Sequence, residues 1–369
     1  MSGAQSGAAT FRTLQDRYED FYVPQFTVTV GGTDFSETDG VVSDVSVDLT
    51  LDKASKFSFT LNYPYNTEQG QFEGLDWDLF APDQSVRVEM GYGDTEAPLL
   101  HEGRVTAVRP SFPSGGAPTV TVDGFGLLHT MTEPPEPEGD RESWTHTWTK
   151  TAPHEVVERV VAERGYDFGS VETVDGGVEP AEIKQADSDH DLAFLLKLGD
   201  AYAYELYAWD GDLYFRPPRY DGPAELTLEY GSSLDSFSPE VNEAGQVDRV
   251  EVRNWSAERG EEIVGTATRD AIGGASAGSG EPTTETLRLP VRTTAEATAR
   301  AEAVLANRLD GTVSGKGECI GLPEIRPGIR IRLDGLTDQF STVYYVESAT
   351  HRFGDSGYRT SFSVKRREL

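Results

Sequence analysis

Between residues 317 and 369 apolar and polar residues alternate in three short runs, with the period of a β-strand rather than a helix. Ile329, Ile331 and Leu333 interleave with Arg330 and Arg332, which gives one dry face and one wet one. Residues 342–348 gather Val343, Tyr344, Tyr345 and Val346, all β-favouring. Residues 358–365 alternate Tyr358, Thr360, Phe362 and Val364 with polar partners. Arg326-Pro327-Gly328 opens the first run with a turn, and Gly354 and Gly357 bracket the last hairpin.

The same texture governs residues 22–132. Strands are predicted at 26–30, 57–61, 85–92, 99–108 and 119–125. A longer run over 41–51 is expected to place Val41, Ser43, Val45, Val47, Leu49 and Leu51 on one side. Gly31-Gly32, Asp39-Gly40 and Ser114-Gly115-Gly116 supply turns. So many short strands predict a closed or nearly closed barrel, which removes exposed sheet edges. Residues 1–21 are small and polar and read as an arm.

Residues 133–140, rich in Pro and Glu, form a stiff linker, and the texture then changes. Thr151 is expected to cap a helix over 152–164 whose inner face is Val156, Val157, Val160 and Val161, with Gly165 as its stop. Ser188 and Asp191 read as the capping box of a second helix, with Leu192, Leu195 and Leu196 inward. An aromatic hairpin follows, 205–209 and 212–216 joined by Asp210-Gly211. Residues 141–220 are therefore predicted to be an inserted small α/β domain. Residues 221–369 are predicted to be a second β-barrel, with strands at 226–230 and 247–252. That barrel would carry a mobile Gly/Ser loop at 273–282 and a helix at 294–309 capped by Thr293 and Glu296. Its apolar stripe would be Ala301, Val304, Leu305 and Leu309. The predicted fold class is mainly β (α+β): two similar barrels with an inserted α/β domain.

Asp and Glu number 63 against 32 Lys and Arg, a net charge of −31 spread along the chain. Such a surface repels itself unless salt screens it, and Lys-poor, acid-rich surfaces resemble those of extreme halophiles. No basic stripe exists to neutralise phosphates, so nucleic-acid binding is not expected. No apolar window reaches the roughly eighteen residues of a membrane helix, and no secretion signal is read at the start. The single cysteine, Cys319, excludes an internal disulfide and is expected to be a buried bystander.

Motifs with chemical meaning fail on context. Gly274-x-Ser276-x-Gly278 matches a nucleophile elbow but lacks the strand and helix that hold one. Asp187-x-Asp189-x-Asp191 starts like a calcium loop, yet Leu192 and a helix follow where a glycine turn is needed. The six histidines, His101, His129, His146, His154, His190 and His351, have no zinc spacing. The Gly91, Gly124 and Gly315 pairs lack a dinucleotide setting, and Asn254-Trp255-Ser256 is a glycosylation sequon. No catalytic, cofactor or metal residues are assigned.

The order Arg326-Pro327-Gly328, short strand, Gly335-Leu336, aromatic strand, His351-x-Phe353, Gly357-Tyr358-x-Thr360-x-Phe362 resembles the C-terminal signature of the phage late control protein D family. That family includes the baseplate hub of contractile phage tails and the hub half of VgrG proteins. The resemblance continues through 41–47 and 57–61, 86–93, 103–110, 185–195, 213–218, 231–239 and 246–255, and so covers about residues 21–369. At 185–195 an extra residue and His190 blur the spacing.

The resemblance implies a structural protein and not an enzyme. It implies a homotrimer whose two barrels per subunit make a pseudo-sixfold ring between a trimeric spike and a hexameric tube. The implied partners are an inner tube protein, baseplate wedge proteins contacting the insertion, and a spike. VgrG proteins continue into an OB-fold and a β-helical spike; here the sequence stops at Leu369, so the spike is expected to be a separate polypeptide. Location would be cytoplasmic during assembly and then within an injection particle or virion of haloarchaeal origin. The competing expectation is a surface carbohydrate-binding or glycoside hydrolase β-protein.

Overall fold

In the computed structural model, residues 9–36, 41–93, 97–133, 145–186, 188–242, 247–257, 259–272 and 283–367 are described. The chain enters through α1 (Phe11–Arg17), which Thr10 caps by accepting from the Thr13 amide. This segment is not the free arm expected. Leu14 is fully buried, and Tyr18 and Phe21 set their rings 5.4 and 5.1 Å from Tyr92. Ala9 bridges to Leu226 in the far half of the chain. Phe11, Leu14, Tyr18 and Phe21 recur at near-helical spacing, and the polar residues between them hide that stripe in the sequence.

The first half supplies β1 (Pro24–Val30), β2 (Thr33–Ser36), β3 (Val42–Thr50), β4 (Lys56–Leu61), β5 (Tyr65–Asn66), β6 (Gln71–Phe72), β7 (Ser85–Tyr92), β8 (Leu99–Ser111) and β9 (Thr119–Gly126). Gly31 and Gly32 turn β1 into β2 with φ of 56° and 85°, the positive values that a two-residue hairpin needs at both positions. In β3 the expected alternation breaks. Asp44 takes φ of 51°, and the pairing with β4 slips between Ser43 and Ser46. The bulge inserts one residue and changes phase, so Val42 is buried with Val45, Val47 and Leu49, while Val41 and Ser43 are not. The Asp39-Gly40 turn lies outside the described residues.

The insertion holds β10 (Thr145–Thr149), α2 (Pro153–Arg164), β11 (Val171–Thr173), β12 (Glu182–Ala186), α3 (Asp191–Tyr202), β13 (Glu205–Trp209) and β14 (Asp212–Arg216). Its core of Trp148, Val156, Val160, Leu192, Leu195 and Phe215 is separate from the main one. Two predicted caps differ. The Thr151 hydroxyl donates to Thr149 O, and α2 starts on Pro153, whose fixed φ suits the first turn. In α3 it is His190 Nδ1 that accepts the Ala193 amide. Asp191 instead turns inward, where Gln185 Nε2 (2.6 Å) and the Tyr166 hydroxyl (2.7 Å) satisfy its carboxylate. Phe194 and Leu198 point inward in addition to Leu192 and Leu195, and Leu196 is only partly buried.

The last third adds β15 (Leu226–Glu229), β16 (Leu234–Val241), β17 (Arg249–Ser256), β18 (Glu261–Thr268), β19 (Thr284–Arg288), α4 (Thr294–Leu309), β20 (Val313–Ile320), β21 (Arg330–Asp334), β22 (Val343–Gly354) and β23 (Gly357–Arg366). The architecture is mainly β, as expected. Thirteen strands form one curled sheet with the path β16-β20-β23-β22-β3-β4-β9-β8-β7-β1-β2; β21 attaches to β22, and β15 to β21. The two halves join where β22 pairs with β3, from Ser348 opposite Thr50 to Phe353 opposite Val45. One core runs beneath both, from Val28 and Phe59 to Ile331 and Phe362.

β17, β18, β19 and α4, assigned from sequence to the second barrel, leave that sheet. β18-β17-β19 form their own sheet, and α4 covers it over Val250, Val252, Ile263, Ala301 and Leu305. Contact is close: a Cβ on Gly265 of β18 would lie 2.1 Å from the Ala297 carbonyl carbon. Alternation shows that a segment is a strand but not which sheet it joins. α4 begins as predicted, with Thr293 accepting from the Glu296 amide. The Glu296 carboxylate, however, accepts from Arg292 N. The 273–282 loop lies outside the described residues.

If residues 11–21 belong to the main core, Leu14→Ala should cost about 2–5 kcal/mol, the usual range for emptying a buried leucine site. Denaturant titration in molar salt reads this directly, and an unchanged midpoint would mean the segment is an arm after all.

Candidate functional site

Several buried charges gather where the main sheet, the insertion and the α4 unit meet. β13 opens with Glu205, β22 supplies Tyr345 and β23 carries Lys365 in its last pairing, while Asp310 follows α4 directly. The Tyr345 hydroxyl donates to Glu205 Oε2 at 2.5 Å. Lys365 Nζ lies 3.2 Å from Asp310 Oδ2 and 3.8 Å from Glu205 Oε1. Arg367 Nε donates to Asp310 Oδ1 at 2.7 Å, and its guanidinium covers the Tyr220 ring at 4.3 Å. Beside them Arg216 donates to the Tyr207 hydroxyl at 2.6 Å and to Gly328 O at 3.3 Å, tying β14 to the loop before β21.

Burial dominates the electrostatics. It pushes the Glu205 carboxyl up to about 7, although Lys365 and the Tyr345 hydroxyl pull it down. Burial also works against the Lys365 charge, but Asp310 and Glu205 outweigh it and raise that amine. The Tyr345 hydroxyl rises through burial and through Glu205 beside it. A cluster so enclosed is suited to holding three units in fixed relation, since removing any one charge leaves the others buried and unpaired.

The sequence gives no sign of this cluster, because Glu205 lies more than a hundred residues before Asp310, Tyr345 and Lys365. The residues that sequence reasoning did weigh fall elsewhere. His351 is fully buried between the Tyr358 hydroxyl (2.8 Å) and Ile325 O (2.9 Å), and burial lowers it to about 4. His101 is buried as well and lowered to about 4, and among the described residues its Nε2 has no hydrogen-bond partner. Cys319 is buried, which raises its thiol, and Sγ lies 3.6 Å from Thr360 O. Asp189 pairs with Lys197 at 2.7 Å, and Asn254 donates to Val291 O at 2.7 Å. Asp187 and the Gly274–Ser276–Gly278 motif lie outside the described residues. Among the described residues no three metal-binding side chains converge.

The curled sheet with its outer α/β units is shared with phage tail proteins. The 43 kDa tail protein of prophage MuSo2 from Shewanella oneidensis superposes with a TM-score of 0.69 at 13% identity, covering 93% of this chain and 98% of its own. A tail protein from Neisseria meningitidis gives 0.68 at 12% identity, covering 94% and 97%. An Escherichia coli component of the type VI secretion system, described as structurally similar to T4 bacteriophage tail proteins, gives 0.53 at 13% identity, covering 88% and 73%. Identity this low speaks for the fold alone. It is the tail hub-type fold that the sequence resemblance implies. No curated protein matches the chain in sequence. The family model described as the Alg8 N-terminal domain matches residues 21–355, and the chain belongs to that family.

The shifted groups set opposing pH dependences. Glu205 titrates near 4.5 when unfolded and about 7 when folded, so between those values only the folded chain holds the proton, and stability falls as pH rises through that window. His101 and His351, lowered from 6.5 to about 4, act in reverse, and stability is lost as pH falls from 6.5 toward 4. Glu205→Gln should remove the first effect alone. Urea titrations across pH 4.5–7 should then show stability of the variant rising more steeply than that of the parent, by about 2–3 kcal/mol over the window. Parallel curves would contradict the placement of Glu205.

Proposed function

We propose that this protein is a structural baseplate hub subunit of a contractile injection particle, acting as a homotrimer. The observation that carries the reading is the single sheet formed by two halves of one chain through β22 and β3, in a fold shared nearly end to end with prophage tail proteins. Two covalently linked halves per subunit let three copies present six similar units, so one face can meet a threefold spike and the other a sixfold tube. Among the described residues the strand path ends at β2 and β16, edges from which a ring could take its head-to-tail contacts. In this reading a spike and an inner tube protein stack on the ring, and wedge proteins meet the insertion. The hub positions parts and catalyses nothing.

The net charge of −31 supports reading such a particle as one that works in concentrated salt, as in a haloarchaeal setting. Light scattering in salt of molar strength should give three chains per particle, separating as salt is diluted. A monomer at every salt concentration would refute the hub reading.

The insertion has its own core, so its role is separable. Val160→Asp would put an unpaired charge beside Val156 and Leu195, a change that costs about 3–5 kcal/mol or more. The variant should remain trimeric yet lose attachment of the wedge proteins in a reconstituted baseplate. Loss of the trimer with attachment of the residual monomer intact would place the insertion wrongly.

A further inference from the structure

In the first half of the chain a group of aromatic rings rises from the core to the surface. Its root is Phe72 of β6, which is buried in the main core. Around Phe72 pack Tyr65 of β5 at 5.0 Å, Trp77 at 6.2 Å and Phe112, directly after β8, at 6.0 Å. Tyr65 and Phe112 also meet each other at 5.3 Å. Trp77 is 48% exposed and Phe112 59%. Exposed rings standing singly are ordinary, but a contiguous group of them marks an interaction surface. The segment that carries the group is fixed before anything binds. The Glu73 amide donates to Pro64 O at 2.7 Å and the Gly70 amide to Asn66 O at 2.8 Å. Asn66 Oδ1 accepts from the Glu68 and Gln69 amides, and its Nδ2 donates to Glu73.

Charge says what the rings fit. Residues 57–86 contain no Lys, Arg or His but five carboxylates, and Asp76 and Asp78 flank Trp77 directly. Among the described residues neither Asp76 nor Asp78 is paired with a cation. Elsewhere the chain covers its half-buried rings with its own cations: Arg326 lies over Trp209 at 5.1 Å and Arg367 over Tyr220 at 4.3 Å. Trp77 and Phe112 have no such cover among the described residues. A ring face with carboxylates beside it attracts a cation, and indole does so best. A guanidinium is planar and weakly hydrated, so it stacks on such a face more readily than an ammonium. Molar salt screens charges more than about 3 Å apart and leaves those in contact.

We propose that this patch docks an arginine-bearing loop of a partner protein, whose guanidinium stacks on Trp77 against Asp76 and Asp78 while apolar neighbours of that arginine cover Phe112. Trp, Tyr and Arg are the side chains that most often carry the energy of a protein–protein contact, and here the first two stand without the third. The inference rests on the patch alone and is independent of the hub reading.

The test uses the full chain in molar salt and two end-blocked tripeptides, Leu-Arg-Leu and Leu-citrulline-Leu; citrulline keeps the shape of arginine and drops the charge. Binding is read by peptide diffusion in NMR, with the Trp77 indole signal as local reporter. The arginine peptide should bind in the millimolar range and shift that signal, and the citrulline peptide should bind about fivefold more weakly. Trp77→Ser and Phe112→Ser should each weaken the arginine peptide about fivefold with the melting temperature unchanged, since both rings are half exposed or more. Asp76→Asn combined with Asp78→Asn should narrow the preference for arginine to about twofold. The new side-chain amide keeps the acceptor that Asp76 Oδ1 gives to the amide of residue 78. Equal affinity for the two peptides, affinity unmoved by either ring substitution, or no binding up to about 50 mM would overturn the proposal. So would three other results. Guanidinium ion binding as tightly as the arginine peptide would make this a small-cation site. Displacement of the peptide by maltotriose would make it a sugar site. A change in oligomeric state on Trp77→Ser, read by light scattering, would make it a contact between copies of the chain.

Discussion

Everything in this structure hangs on the pairing of β22 with β3. Without it the chain would be two small sheets, each with an extra open edge and half a core. With it, Val45, Val47 and Leu49 from one half and Ala349 and Phe353 from the other lie under one continuous ladder. The residues that join β22 to β3 leave β22 bound to β23 on its other side, so the seam is internal and held from both directions. The hydroxyl of Thr350 donates to Asp48 across it at 2.6 Å. For the proposed hub, a rigid link between the two halves is what a threefold-to-sixfold adaptor would require, because the angle between halves must be the same in every copy.

The outer units are attached by charge as much as by apolar contact. Lys365 and Arg367, at the end of β23, grip Asp310, where the α4 unit returns to the main sheet, and Glu205 brings the insertion to the same point. Most other ion pairs, such as Arg109 with Asp123 or Lys56 with Asp48, have a well-exposed cation and contribute little on their own. Salt therefore divides the molecule's electrostatics. It screens the dispersed surface repulsion but leaves the enclosed junction nearly untouched.

Local chemistry was legible wherever it acted locally. The Asp210-Gly211 hairpin, the strand at 85–92, the helix starting after Thr293 and the separate core of the insertion all follow from patterns within a few residues. The failures share a cause. The bulge at Asp44 shifts the phase of β3 by a backbone conformation that any Asp can adopt or avoid. Asp191 could have capped its helix, and only the arrival of Gln185 and Tyr166 made burial the better option. β17 alternates as a barrel strand would, yet β19 and α4 claim it. Glu205 joins a Tyr345–Lys365 pair that the last hairpin already sets side by side, and no local pattern relates it to them.

Hydrogen exchange of the single chain in molar salt tests the seam most directly. If β22 and β3 make the two halves one cooperative unit, amides of Val47 and Ala349 should open with the same free energy as those of Val122 in β9 and Gly317 in β20. Strand amides of one core open together when they unfold together. Seam amides that exchange well before both flanks, with each half retaining its own protection, would mean that the halves are separate barrels resting against each other.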